Sequence, residues 1–145
     1  MRTVLAILGF AIVSSYAASG ADQNVECIAS YGTAAVEQFL GQLKDAVAKG
    51  DRIQVSGMIE FPIVVEIAGK RSTLRNRSEL LKYYDVAFDS KVKGFIAKQR
   101  FSDLFCNWRG IMIGRGEIWI TLVGRSKKLK IIAINNNPPW SREGK

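Results

Sequence analysis

Apolar residues recur at helical spacing in the first half of the chain and at strand spacing in the second half. Across residues 33–49 they recur every three to four positions, which predicts one helix with a single buried face. The stripe comprises Val36, Phe39, Leu40, Leu43 and Val47. We expect Thr33 to cap the start of this helix and Gly50 to form the left-handed turn that ends it.

A short helix and a hairpin are predicted next. Asp51 begins a capping pattern that predicts a short helix before Phe61 and Pro62, where the chain is expected to become extended. Residues 62–76 alternate apolar and polar positions on both sides of Gly69, which predicts a β-hairpin that turns at this glycine.

The rest of the chain is predicted to form helices and then long strands. Capping patterns predict helices over residues 76–88 and 89–99. Strand-like runs then cover residues 100–113, 117–123 and 127–136. Helices followed by successive strands predict an α+β fold rather than alternating βαβ units. Residues 18–136 are expected to form one domain and residues 137–145 a loose tail.

The N-terminus has the pattern of a secretory signal peptide. One positive charge at Arg2 precedes a continuous apolar run over residues 4–13, and small residues follow at Ser15 and Ala17. The alternative is a membrane anchor, but the apolar run is shorter than the roughly 20 residues that span a bilayer. We therefore expect cleavage near Ala17 and export to the periplasm or the medium, with no membrane-spanning segment in the mature protein.

The stretch GIMIGRGEIWI, residues 110–120, superficially resembles a glycine-rich phosphate loop. Such loops lead into a helix whose N-terminal amides face the anion, whereas an alternating strand pattern follows Gly116. Gly114 and Gly116 are instead expected to take positive φ values in a tight turn between two strands.

Composition excludes several kinds of chemistry. The chain has no histidine, so the usual catalytic triads and histidine zinc sites are absent, and we expect neither a metal nor a cofactor. Cys27 and Cys106 are expected to form a disulfide after export.

The net charge is +8 for the whole chain and +7 without the signal peptide, which favours an anionic partner in the cell envelope. Nucleic acid is not expected, because the chain lacks a recognition pattern.

The order of elements resembles the nuclear transport factor 2-like superfamily, also called cystatin-like. The segments that carry this resemblance are FPIVVEIAGK, LLKYYDVAFD and GIMIGRGEIWI, together with element order over residues 33–136. The resemblance implies a curved antiparallel sheet wrapped around N-terminal helices, as in small exported bacterial proteins of unassigned role. It also implies a cavity between sheet and helices and the possibility of a homodimer.

Some members of this superfamily are isomerases or dehydratases that use pocket Asp, Tyr and His residues. This chain lacks the histidines, but Tyr84, Asp85, Glu117 and Trp119 are candidates for such chemistry. A carboxylate beside an aromatic ring can act as a base when its pKa is raised, with a tyrosine polarising a carbonyl. The alternative is structural: Tyr84 in the core, Asp85 a solvated acid and Trp119 a packed sheet residue.

A second hypothesis is a non-catalytic binding or inhibitory module for a protein or an anionic partner. The basic residues predicted to bind lie at two hairpin turns and on the strand after the second turn, and are Arg115, Arg125, Lys127, Lys128 and Lys130. The alternative role of the lysines is to protect a sheet edge from aggregation. A pocket that binds a small apolar ligand without chemistry is a third possibility.

Overall fold

A computed structural model describes residues 20–137 of the protein and shows an α+β fold of helices and antiparallel sheets. The helices in these residues are α1 (Gly20–Ser30), α2 (Thr33–Lys49), α3 (Arg52–Gly57), α4 (Arg77–Lys82), α5 (Tyr84–Ala87) and α6 (Ser90–Lys98). The strands are β1 (Ile63–Ile67), β2 (Lys70–Leu74), β3 (Phe105–Asn107), β4 (Gly110–Ile113), β5 (Ile118–Val123) and β6 (Lys128–Ile134). The predicted signal peptide, residues 1–17, and the predicted tail beyond Asn137 lie outside the described residues.

The strands form two antiparallel sheets that hydrogen bonds tie together. β1 pairs with β2, and β3 to β6 form a four-stranded meander in chain order. The Glu66 N–H of β1 donates to Asn136 Oδ1 at 2.9 Å, and Asn136 Nδ2 donates to the Glu66 carbonyl at 2.8 Å. The Asn136 side chain, which follows β6, thus bonds the backbone of β1 as a neighbouring strand would.

Helix α2 buries the predicted stripe. All five of its apolar residues are buried, and Val36 and Leu43 are 0% exposed. Gly50 ends the helix at φ 68°, as expected for a left-handed cap. The prediction for Thr33 was wrong: the helix begins at this residue, and the residue before it is Gly32, which has no side chain to cap it.

Three predicted caps are confirmed. Each capping side chain accepts a hydrogen bond from the backbone N–H three residues later, which satisfies a donor that has no partner inside the helix. The pairs are Asp51 with Gln54, Asn76 with Glu79, and Asp89 with Val92. The helix predicted over residues 76–88 is nevertheless divided at Tyr83 into α4 and α5.

The strand predicted over residues 100–113 is also divided. A short 3₁₀ helix (Phe101–Asp103) comes first, and β3 and β4 then form a tight hairpin closed by Asn107 and Gly110. Gly110 has φ 135°, and a Cβ there would lie 2.3 Å from the Ile120 carbonyl oxygen. Only glycine lets the chain turn so close to β5, so a contact with another strand interrupts an otherwise strand-like apolar pattern.

Helix α1 was not predicted, and contacts with the edge strand β3 hold it. Asn24 Nδ2 donates to the Leu104 carbonyl at 3.0 Å, while Asn24 Oδ1 accepts from the Cys106 N–H at 2.7 Å. The predicted disulfide between Cys27 and Cys106 is present beside these bonds. Together they cover a strand edge that would otherwise expose unpaired backbone groups.

The core lies between the helices and one face of the four-stranded sheet. Ile111, Ile120 and Ile131 form a row on that face, and each is 0% exposed. The opposite face carries a second row across all four strands, formed by Phe105, Met112, Trp119 and Ala133. The alternation of side chains along β5 therefore directs Trp119 to the face opposite the isoleucine row, where it is also buried, at 7% exposed.

Candidate functional site

The β5–β6 turn displays a group of basic side chains. Val123 pairs with Lys128 at the base of the turn, and the Lys127 N–H donates to the Gly124 carbonyl at 3.2 Å. Lys127 takes φ 46°, a left-handed conformation unusual for a residue with a side chain. This closed turn leaves Arg125, Lys127 and Lys128 exposed to solvent.

A groove lies beside this turn, between α2 and the β5–β6 hairpin, with a volume of about 320 Å³. We call it the hairpin groove. Phe39, Leu122 and Leu129 supply apolar surface, and Lys127 and Lys128 line the side nearest the turn. The remaining lining residues are uncharged and are Tyr31, Ala35, Gln38 and Gln42. The groove therefore combines apolar surface with positive charge and has no carboxylate in its lining.

The basic side chains of the turn are not neutralised by neighbours in the fold. Within residues 20–137, no carboxylate lies within ion-pair distance of Arg125, Lys127 or Lys128. Their positive charge is therefore directed at solvent, where it attracts anionic groups.

The structure does not bring the other two predicted binding residues to this place. Arg115 lies in the β4–β5 turn, at the opposite end of β5. The six residues of β5 separate the two turns by about 20 Å. Lys130 Nζ donates to the Gly57 carbonyl, so its ammonium group is engaged by α3.

Tyr84 and Asp85 are adjacent in α5 but have different surroundings. Asp85 is exposed and forms ion pairs with Arg52 at 2.8 Å and with Lys93 at 3.4 Å. Tyr84 is 2% exposed and stacks on Phe88, with ring centroids 4.9 Å apart. The Tyr84 hydroxyl has no hydrogen-bond partner among the described residues. Burial raises the pKa of this phenol, although the positive charge of Arg52 partly opposes the shift.

Glu117 and Trp119 occupy a different part of the molecule. Glu117 is 1% exposed, and its Oε2 accepts from the Arg115 N–H at 2.6 Å. This carboxylate therefore closes the β4–β5 turn, in which Gly114 and Gly116 take the predicted positive φ values of 75° and 115°. Trp119 lies on the outer sheet face, with the Arg109 guanidinium 5.1 Å from its ring centroid. Asp85 is bound by Arg52 and Lys93, and Glu117 by the Arg115 N–H, so the two carboxylates share no polar partner.

The described part of the chain shows neither a metal-binding cluster nor a membrane-spanning helix. Among residues 20–137, no group of three or more Cys, Asp or Glu side chains is placed to hold a metal ion. No helix in the same range is long and apolar enough to cross a bilayer.

Comparisons with protein-family models, with curated proteins and with solved structures give no match.

The sequence did not reveal the hairpin groove or the prominence of Trp108. The groove joins residues from α2 to a hairpin some eighty residues later, so no local pattern could predict it. Trp108 is 91% exposed in the β3–β4 turn. A signal for this turn existed, because Asn107 and Gly110 are turn-forming residues inside an apolar run longer than most strands.

Proposed function

We propose that the protein is an exported, non-catalytic binding module that holds an anionic partner of the cell envelope through the β5–β6 turn and the hairpin groove. The observation that carries this proposal is the group of cations at the turn, Arg125, Lys127 and Lys128, which have no ion-pair partner within residues 20–137. Lys127 and Lys128 also line a groove with apolar surface. Such a site can hold an anionic group and an adjoining apolar group together.

Export is supported by the signal-peptide pattern of residues 1–17, with cleavage proposed near Ala17. The disulfide between Cys27 and Cys106 is compatible with an oxidising compartment, where such bonds persist. A basic exported protein meets anionic groups in the envelope, which agrees with the proposed site.

Edge protection accounts less well for the lysines of the turn. The free edge of β6 is covered at Ile131, whose N–H donates to the Met58 carbonyl and whose carbonyl accepts from the Glu60 N–H. Lys127 and Lys128 project from the turn beyond this covered segment. A binding role accounts for the place of both lysines in the lining of the hairpin groove, which protection from edge pairing does not require.

The catalytic alternative receives less support from the geometry. Asp85 is exposed and shared between two cations, whereas Glu117 is committed to a backbone N–H of its own turn. A carboxylate base beside a tyrosine would need both groups to face one reacting atom. The binding function is therefore preferred to isomerase or dehydratase chemistry.

We also propose that the fold is a roll of the nuclear transport factor 2-like kind. The order of helices and strands supports it, as do the bonds from Asn136 to Glu66 that join the two sheets. Ile59 adds a parallel bridge to Ile131, so the chain before β1 also lies against β6.

Binding to a soluble polyanion tests the function. The mature protein is titrated with fluorescent poly-L-glutamate at about 0.1 M salt, together with the double variant Lys127→Glu/Lys128→Glu. We expect the double variant to bind at least about tenfold more weakly, because local charge governs association with anions.

Arg115→Glu provides the matched control for the single variant Lys127→Glu, since each reverses one charge and Arg115 lies at the far end of β5. This distance exceeds the screening length of about 10 Å at 0.1 M salt, so the control should bind almost as tightly as wild type at that ionic strength. Equal weakening by both single variants would show that net charge, not this site, governs binding. Wild-type affinity in the double variant would refute the site directly.

A further inference from the structure

Trp108 stands almost entirely in solvent at the tip of the β3–β4 hairpin. It is 91% exposed, the largest exposure among the large apolar side chains of the described residues. The turn that carries it is well formed, because Asn107 Oδ1 accepts from the Arg109 N–H at 2.8 Å. Tryptophan is enriched where an apolar ring meets a wet polar boundary, as at protein interfaces and at the edges of membranes.

Strand register places this tip at the same end of the sheet as the β5–β6 turn. Gly110, the first residue of β4, lies against Ile120 and Thr121 of β5. From Thr121, β5 continues for two more residues to Val123, so the β5–β6 turn extends about 7 Å beyond the β3–β4 hairpin.

This end of the molecule is strongly basic. Residues 107–110 and 124–128 contain four cationic side chains and no carboxylate. The cations are Arg109, Arg125, Lys127 and Lys128, and all four are exposed. An exposed tryptophan and four exposed cationic side chains thus lie in two turns at the same end of the sheet.

We propose that this end of the molecule docks on an anionic lipid surface, with Trp108 in the headgroup region and the basic side chains on lipid phosphates. The inference rests on the proposed function and names the partner of its basic turn. Charge complementarity selects the surface, since each basic side chain near an anionic membrane strengthens binding by about fivefold. Tryptophan adds the apolar contact that electrostatic adsorption alone lacks.

The isolated exposure of Trp108 favours a membrane over a protein partner. A fully exposed tryptophan offers roughly 200 Å² of surface, far below the roughly 800 Å² that each partner buries in a stable protein interface. A single exposed side chain cannot supply that area. A fluid bilayer accommodates one projecting ring, because its headgroups rearrange around the inserted ring.

Vesicle flotation tests the inference with the purified mature protein. Vesicles of phosphatidylcholine alone are compared with vesicles that contain 30% phosphatidylglycerol. Wild type is expected to float with the anionic vesicles only, and Lys127→Glu/Lys128→Glu to bind them at least about thirtyfold more weakly. Trp108→Ser should weaken vesicle binding by about tenfold while binding to poly-L-glutamate stays unchanged.

Ile53→Ser is the matched control, because Ile53 is an apolar residue 56% exposed on α3, outside the two turns. It should float as wild type does. Brominated phosphatidylglycerol should quench the tryptophan fluorescence of wild type and should quench Trp108→Phe less.

Each result bears on one proposal or both. Binding to poly-L-glutamate without binding to vesicles would overturn the lipid inference and leave an acidic protein as the partner. Equal flotation of Trp108→Ser and wild type would also overturn it, because Trp108 would then contribute nothing. Failure to bind either probe would overturn the proposed function as well.

Discussion

Removal of the Tyr84 hydroxyl group should raise the free energy of unfolding. This group is buried without a hydrogen-bond partner among the described residues. A buried polar group left without a partner costs about 1 to 3 kcal/mol. Tyr84→Phe keeps the ring, its stacking on Phe88 and its contact with the Arg52 guanidinium, which lies 5.1 Å from the ring centroid. The variant should therefore be about 1 kcal/mol more stable.

Urea unfolding followed by far-ultraviolet circular dichroism at pH 7 measures this change. The midpoint should rise with an unchanged m-value, and the melting temperature should rise by about 3 to 5 °C for a domain of this size. Tyr83→Phe is the matched control, because Tyr83 is the adjacent residue and is 41% exposed. It should change stability by less than about 0.5 kcal/mol.

The pH dependence gives an independent measure. Burial raises the pKa of Tyr84 above its ordinary value of 10.0, so the folded state keeps a proton that the unfolded chain loses above about pH 10. Wild-type stability should fall in that range more steeply than that of Tyr84→Phe. Loss of about 1 kcal/mol in Tyr84→Phe at pH 7 would refute the reasoning, because the hydroxyl would then have a stabilising partner.

Two further substitutions test the backbone and the disulfide. Ala68 takes φ 50° beside Gly69 at φ 77°, so Ala68→Gly should raise the unfolding free energy by about 0.5 to 1 kcal/mol, whereas Ala48→Gly in α2 should lower it. A lower urea midpoint for Ala68→Gly would contradict the strain at that turn. The disulfide spans 79 residues, so Cys27→Ser/Cys106→Ser should lower the unfolding free energy by up to about 4 kcal/mol. Hydrogen exchange should show α1 losing protection first, and uniform loss would show that this helix does not depend on the bond.

Much of the local structure could be predicted because its causes lie within a few residues. The buried stripe of α2 follows from apolar residues three and four positions apart, and the caps at Asp51, Asn76 and Asp89 need only the next helical turn. The glycines of the chain also marked the hairpin turns, because the positive φ that a tight turn needs is a local requirement.

Elements held by distant contacts escaped prediction. Helix α1 buries only Ile28 and depends on β3, eighty residues away, for the bonds to Asn24 and for its disulfide. Asn107 and Gly110 are a signal for a turn in the chain, but only the packing of β5 against Gly110 shows that glycine is required there. The position of Glu117 in the chain does not reveal that its carboxylate caps a turn and is buried.

For the candidate site, the sequence by itself determined the chemistry, and the tertiary structure decided which residues share it. The absence of histidine, the net positive charge and the basic turn at residues 125–128 are properties of the chain. Strand register then separated Arg115 from Lys127 by the length of β5 and brought Trp108 to the basic end. Register depends on pairing between distant strands, which is why composition identified the charge but only the folded sheet brought it together.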